Sequence, residues 1–115
     1  MAETINYIEF ASTDLAASKG FFEAAFGWPF QDYGPDYSAF TTPELSGGLF
    51  HNPKVATTSD GAPLLVLHSS DLGASLDRVR AAGGRIVRPI FEFPGGRRFH
   101  FVEPGGNELA IWSES

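Results

Sequence analysis

Asp14-Leu15-Ala16-Ala17-Ser18 returns as Asp71-Leu72-Gly73-Ala74-Ser75, 57 residues later in a chain of 115. The flanks return with it. Ile5-Asn6-Tyr7-Ile8-Glu9-Phe10-Ala11 precedes the first copy and Pro63-Leu64-Leu65-Val66-Leu67-His68 the second, and both read as short strand-like segments. After each copy comes a helical pattern stopped by glycine. Over 14–26, Leu15, Ser18, Phe22, Ala25 and Phe26 share one face, and Gly27 follows; over 71–82, Leu72, Ser75, Leu76 and Val79 do the same before Gly83-Gly84. Apolar side chains at i, i+3, i+4 and i+7 mark an amphipathic helix, and glycine takes up the left-handed stop. Thr13/Asp14 and Ser70/Asp71 are helix-capping side chains, and the acidic charge suits the positive end of the helix dipole.

Working outward, each helix leads into three short extended pieces. In the first half they are expected near 28–33, 37–42 and 46–51, with turns at Gly34-Pro35-Asp36 and Pro43-Glu44. In the second they are expected near 85–91, 97–103 and 107–113, with turns at Pro94-Gly95-Gly96 and Pro104-Gly105-Gly106. Gly47-Gly48 reads as further strand punctuation. Each half is thus strand, helix, strand, strand, strand. The first module covers about 4–52, a linker rich in Pro, Ser, Thr, Asp and Gly covers about 53–62, and the second module covers about 63–115. The expected fold is α+β, a single domain of tandem βαβββ modules whose mixed sheets curve around a cavity, with the helices outside.

Composition narrows the function. With 43% hydrophobic, 14% aromatic and 19% charged residues, the chain reads as a globular protein rather than a disordered one. No run approaches the ~20 apolar residues of a membrane helix, and no basic-then-apolar leader opens the chain, so a cytoplasmic protein without a membrane partner is expected. Absence of cysteine excludes disulfides, thiolate metal sites and a cysteine nucleophile. A net charge of −6 without an extended basic patch makes nucleic acid an unexpected partner.

Tandem βαβββ halves with these motifs resemble the vicinal oxygen chelate superfamily, which includes glyoxalase I, bleomycin- and fosfomycin-resistance proteins and extradiol dioxygenases. The residues that carry the resemblance are Ile8-Glu9-Phe10, Asp14-Leu15, Phe21-Phe22 through Phe26-Gly27-Trp28, and Leu76 through Ala82-Gly83-Gly84. Phe101-Val102-Glu103-Pro104-Gly105-Gly106-Asn107-Glu108-Leu109 completes it and is similar to the family's aromatic-x-Asp-Pro-x-Gly-Asn turn, with Glu103 where Asp is usual. Metal-dependent members take ligands from the first and last strand of each half, commonly His or Gln, Glu, His and Glu. The resemblance carries these positions onto Tyr7, about Gly48, Leu64 and Ala110. Three of the four have no donor, and a neutral tyrosine is a poor ligand, so the usual metal is not expected.

Strand alternation then proposes what lines the cavity. With Tyr7, Leu64 and Ala110 inward, so are Glu9, Ala11, Val66, His68, Glu108 and Trp112. Arg98, His100 and Val102 face the cavity while Phe99 and Phe101 face a helix; Tyr37 and Ala39 behave similarly. Candidate ligand-binding residues are therefore Tyr7, Tyr37, His68, Arg98 and Trp112, and candidate catalytic residues are Glu9 and His100, either serving as a general base. Each has a structural alternative: Glu9 paired with Arg98, His68 as a strand-end hydrogen-bonding residue, Arg97 or Arg98 solvating the rim. His51 is expected at the surface. No cofactor is expected, although Glu9, His68 and His100 make up a two-His, one-carboxylate set suited to a relocated divalent metal. The expected function is binding of a small organic molecule between the modules. The alternative is a lyase, isomerase or dioxygenase-type enzyme with a relocated metal or metal-free acid–base chemistry; a third reading is a closed cavity with a role in dimerisation alone. A homodimer is expected, because a small curved sheet with exposed edges needs covering.

Overall fold

Both copies of the echo start a helix in the same way. Asp14 (φ −148°, ψ 93°) and Asp71 (φ −146°, ψ 93°) are extended, and their side chains accept from the amides of Ala17 and Ala74, each at 3.1 Å. Two residues before each aspartate a serine accepts its amide at 3.0 Å, and that same hydroxyl meets the serine that closes the echo: Ser12 with Ser18 and Ser69 with Ser75, both at 2.6 Å. The repeat is therefore a capping unit in which one aspartate and two serines satisfy the orphaned first-turn donors.

The computed structural model describes residues 3–115. The first module runs β1 (Tyr7–Ser12), α1 (Leu15–Phe26), β2 (Phe30–Asp32), β3 (Tyr37–Thr41) and β4 (Ser46–His51). The second runs β5 (Leu65–His68), α2 (Leu72–Ala81), β6 (Arg85–Phe93), β7 (Gly96–Val102) and β8 (Glu108–Ser113). Each module makes one four-stranded mixed sheet, ordered β1-β4-β3-β2 and β5-β8-β7-β6, in which the helix-connected strand lies parallel to the last strand and the other pairs are antiparallel. The fold is α+β, as the tandem pattern implies. Helix α1 stops at Gly27 (φ 72°), and α2 stops one residue earlier than expected, at Ala82, before Gly83 (φ 102°).

The two sheets share one core. Phe10, Phe40 and Leu49 from the first sheet, Phe99, Phe101, Leu109 and Ile111 from the second, and Phe21, Phe22, Leu72 and Val79 from the helices form a single buried cluster. Phe21, which the expected helix face omits, is 1% exposed and packs 5.7 Å from Phe101, so α1 is shared between both sheets. Since every helix-side face looks into this common core, the opposite faces of the two sheets look outward. Within one chain they do not close on each other.

The segment between modules contains a 3₁₀ turn (Thr58–Asp60) and is fastened rather than loose. Ala56 exchanges backbone contacts with the second module: its amide donates to Asn107 Oδ1 at 2.9 Å and its carbonyl accepts from the Glu108 amide at 2.8 Å. A buried carboxylate completes the junction. Glu103 accepts from Ser18 Oγ (2.7 Å), the Gly105 amide (2.5 Å) and Asn107 Nδ2 (2.6 Å), while Asn107 Nδ2 also donates to the Ala11 carbonyl at 2.6 Å.

Candidate functional site

On the outward face of the first sheet, registry places Tyr7 beside Ser46, Glu9 beside Gly48 and Ala11 beside Phe50, with Tyr37 across from Phe50. Tyr37 crosses the strand diagonally. Its hydroxyl donates to Glu9 Oε2 at 2.9 Å and is hydrogen-bonded to the Tyr7 hydroxyl. The hydrogen bond shared with Tyr7, then burial, then the bond donated to Glu9 raise the Tyr37 phenol above its ordinary value, because a hydroxyl held as a donor and shielded from water favours its neutral form. Gly48 makes this crossing possible: a Cβ there would lie 2.0 Å from the Tyr37 hydroxyl oxygen.

The outward face of the second sheet carries Val66 and His68 on β5, Glu108, Ala110 and Trp112 on β8, and Arg98, His100 and Val102 on β7. Phe99 and Phe101 are on the helix side, both 0% exposed, as alternation requires. His100 lies in a carboxylate-oriented arrangement. Its Nδ1 is 3.1 Å from Glu108 Oε2, and Glu108 Oε1 accepts from the Thr58 amide and hydroxyl, both at 2.8 Å. With Glu108 as acceptor, Nδ1 carries the hydrogen, and Nε2 is buried without a partner. His68 is spent differently: its Nε2 meets both carboxylate oxygens of Glu114 at 2.8 and 3.0 Å, and its ring packs edge-on to Trp112 at 5.0 Å.

The residues expected in one pocket thus form two sets on separate sheets of the chain: Tyr7, Glu9 and Tyr37 on one, His68, Arg98, His100 and Trp112 on the other. Glu9 does not pair with Arg98; it is held by Tyr37. Glu9, His68 and His100 are not brought together either, and among the described residues no three His, Asp or Glu side chains gather closely enough to hold an ion. At the positions carried over from metal-dependent relatives, Gly48 and Ala110 have no side-chain donor and Tyr37 reaches across the first. Leu64 precedes β5 and lines an apolar groove of about 640 Å³ between the modules with Ile5, Ile8, Leu45 and Leu109. Gly48, Leu64 and Ala110 supply neither an imidazole nor a carboxylate.

Three residues of the second face are absent from the expected set. Phe91 and Phe93 alternate before the Pro94-Gly95-Gly96 turn, and that period of two was the available signal. Arg88 gives none, because β6 slips register on both sides of it, and it ends 3.6 Å above the Phe91 ring.

Glu108 provides a pH handle. Burial pushes its carboxyl up, but the two Thr58 hydrogen bonds and His100 outweigh burial and hold it below the ordinary 4.5. A folded value below the unfolded one contributes stability above about pH 4.5 that disappears as pH falls through the lowered value. Thermal midpoints followed from pH 6 to pH 3 should therefore fall more steeply for wild type than for Glu108→Gln, the two curves converging at the acid end. Parallel curves would show that Glu108 is not held this way.

Two capped βαβββ units, helices shared at the centre and a polar, aromatic face exposed on each sheet define a tandem βαβββ-module protein. Residues 4–111 match the family model described as Glyoxalase/Bleomycin resistance protein/Dioxygenase superfamily, and the chain belongs to that superfamily. A protein described as putative glyoxylase CFP32, from Mycobacterium bovis and also from Mycobacterium tuberculosis, is 28% identical over 122 aligned positions that take in 95% of this chain. The chain spans only 45% of that relative's length. Among solved structures, a glyoxalase-related enzyme from Fulvimarina pelagi superposes with a TM-score of 0.79 at 24% identity, over 97% of this chain and 88% of that one. A glyoxalase/bleomycin resistance protein/dioxygenase family enzyme from Burkholderia phytofirmans gives 0.80 at 14% identity, over 98% and 100%. At such identities these two likenesses speak for the fold.

Proposed function

We propose that this chain binds a small organic molecule between the outward face of one βαβββ module and that of another, without the metal ion of metal-dependent relatives. The observation that carries this reading is the pair of outward faces itself. They hold aromatic and polar groups that the core does not use, yet they point away from each other in one chain. A cavity needs two such faces, so the modules that enclose it come from two copies, the first module of one against the second module of its partner. Charge favours that pairing: Glu9 with two phenols lies on one face and the Arg88 guanidinium, over the Phe91 ring, on the other. So does exposure, because Tyr7 and Val66 are each 45% exposed on these faces. The accessible surface of 6698 Å² also exceeds the roughly 6100 Å² of a compact monomer of this mass.

One observation favours catalysis as a second reading. His100, oriented through Nδ1 by Glu108, keeps Nε2 for a substrate proton, which is how a general base of a metal-free lyase or isomerase is built. Stoichiometric binding without turnover separates binder from enzyme.

The composite cavity is tested by oligomeric state together with tryptophan fluorescence against a library of small aromatic acids and amines. The protein should run at twice 12.4 kDa by light scattering. Val66→Glu should give a folded monomer that has lost the ligand response. A wild-type monomer that responds equally well would sink the two-copy cavity.

A further inference from the structure

Among the described residues Arg98 is a cation without a counterion. It sits on β7 between two rings of β6, its guanidinium carbon 5.3 Å from the centroid of Phe91 and 5.5 Å from that of Phe93, and it pairs across the strands with Trp112. Among the described residues its side chain makes no hydrogen bond and no ion pair, and its Nε is buried with no partner. That is unexpected in a chain with 14 acidic and 8 basic residues. Neighbouring donors find partners easily: Arg97 reaches the Ser115 carbonyl at 3.1 Å and His68 Nε2 meets Glu114 at 2.8 Å. A buried donor left without an acceptor is destabilising, so its persistence calls for an acceptor that comes from outside.

Beside Arg98 lies a cavity of about 360 Å³ lined by Val66, Phe93, Pro94, Gly95, Arg98 and Trp112. Five of the six linings are apolar or carry no polar side-chain acceptor, and the only formal charge is that of Arg98. Phe93 and Trp112 meet at 6.2 Å and 64°, forming two walls of a slot that suits a ring. Next along the same strand face, His100 leaves its Nε2 unspent. Guanidinium is planar and matches the two oxygens of a carboxylate.

We infer that this slot takes an aromatic carboxylate, its ring against Phe93 and Trp112 and its two oxygens on Arg98. The inference rests on the small-molecule binding proposed above and names the class of ligand for the second module's face. The negative charge is what the site selects. Ring contact alone would serve a neutral analogue equally well.

Fluorine NMR at millimolar concentration with 4-fluorobenzoate and 4-fluorobenzamide, on the full chain as it assembles, tests it directly. The acid should bind roughly tenfold or more tightly than the amide, the ratio that follows from losing a charge-assisted hydrogen bond. Arg98→Met should erase the difference, and Arg97→Met, on the other face of the strand, should keep it. Arg98 has no partner to strand, so Arg98→Met should melt with wild type; the acid-to-amide ratio in the wild-type protein needs no variant in any case. Equal affinity for acid and amide would overturn the charge selection while leaving small-molecule binding intact. Binding of neither probe would overturn both.

Discussion

Glu103→Ala is expected to lose about 3–4 kcal/mol of folding stability, the cost of stranding buried donors that a carboxylate had satisfied. Glu103 is 1% exposed and every hydrogen bond its side chain makes is one it accepts, from Ser18 Oγ, the Gly105 amide and Asn107 Nδ2. Truncation leaves the Gly105 amide and one of the two Asn107 Nδ2 hydrogens with no acceptor, while Ser18 retains Ser12 and the other Asn107 hydrogen retains the Ala11 carbonyl. For a domain of this size the loss corresponds to a drop of about 10–15 °C in thermal midpoint. Glu103→Gln should fall between: one oxygen still serves Ser18 and Gly105, but its amide nitrogen would face the Asn107 nitrogen. Because this turn bridges Ser12, Thr13 and Ser18 of the first module, hydrogen exchange should accelerate at the start of α1 as well as in the turn. A Glu103→Ala protein that melts with wild type would show that the modules are held by apolar packing alone.

Ser18 also shows how far the sequence could be read. Its place on an apolar helix face follows from spacing, and so does the capping role of Asp14, because both depend on neighbours within one turn. Phe99 and Phe101 were legible for the same reason, since alternation is local. What Ser18 does is not local: its hydrogen bond ends on Glu103, 85 residues away, which the resemblance presents only as a departure from Asp. Tyr7, Glu9 and Tyr37 are similar. Alternation puts each on an outward face, but their meeting depends on the β1-β4-β3 registry and on a glycine between them. Alternation also cannot say which two faces meet. It sorted Tyr37 and Trp112 to the side away from the helices, and the shared core then turned those sides apart. Thr58 lay in a segment read as linker, yet it fixes the carboxylate that orients His100.

Gly47 and Gly48 read as punctuation, but they lie inside β4, and adjacent residues of a strand face opposite ways. Their alanine variants should therefore part company. A Cβ on Gly47 would lie 2.5 Å from the Ile8 carbonyl oxygen and 2.5 Å from the Phe40 ring, both fixed parts of the core, so Gly47→Ala must push β1 and β3 away from β4. We expect a loss of about 2–3 kcal/mol, the usual range for overpacking, and a midpoint lowered by about 10 °C. A Cβ on Gly48 meets the end of the Tyr37 side chain, which can swing outward, and Gly48→Ala should cost less than about 1 kcal/mol. Its effect belongs to the site instead. With Tyr37 displaced from Tyr7 and Glu9, its phenol should return toward the ordinary value of 10, from the raised one that those hydrogen bonds and burial impose. Alkaline absorbance titration would then show the late-ionising phenol of the wild type moving to lower pH in Gly48→Ala alone. Equal thermal losses in the two variants would mean that Tyr37 is locked over Gly48 as firmly as Phe40 is over Gly47, leaving this face no room to open for a ligand.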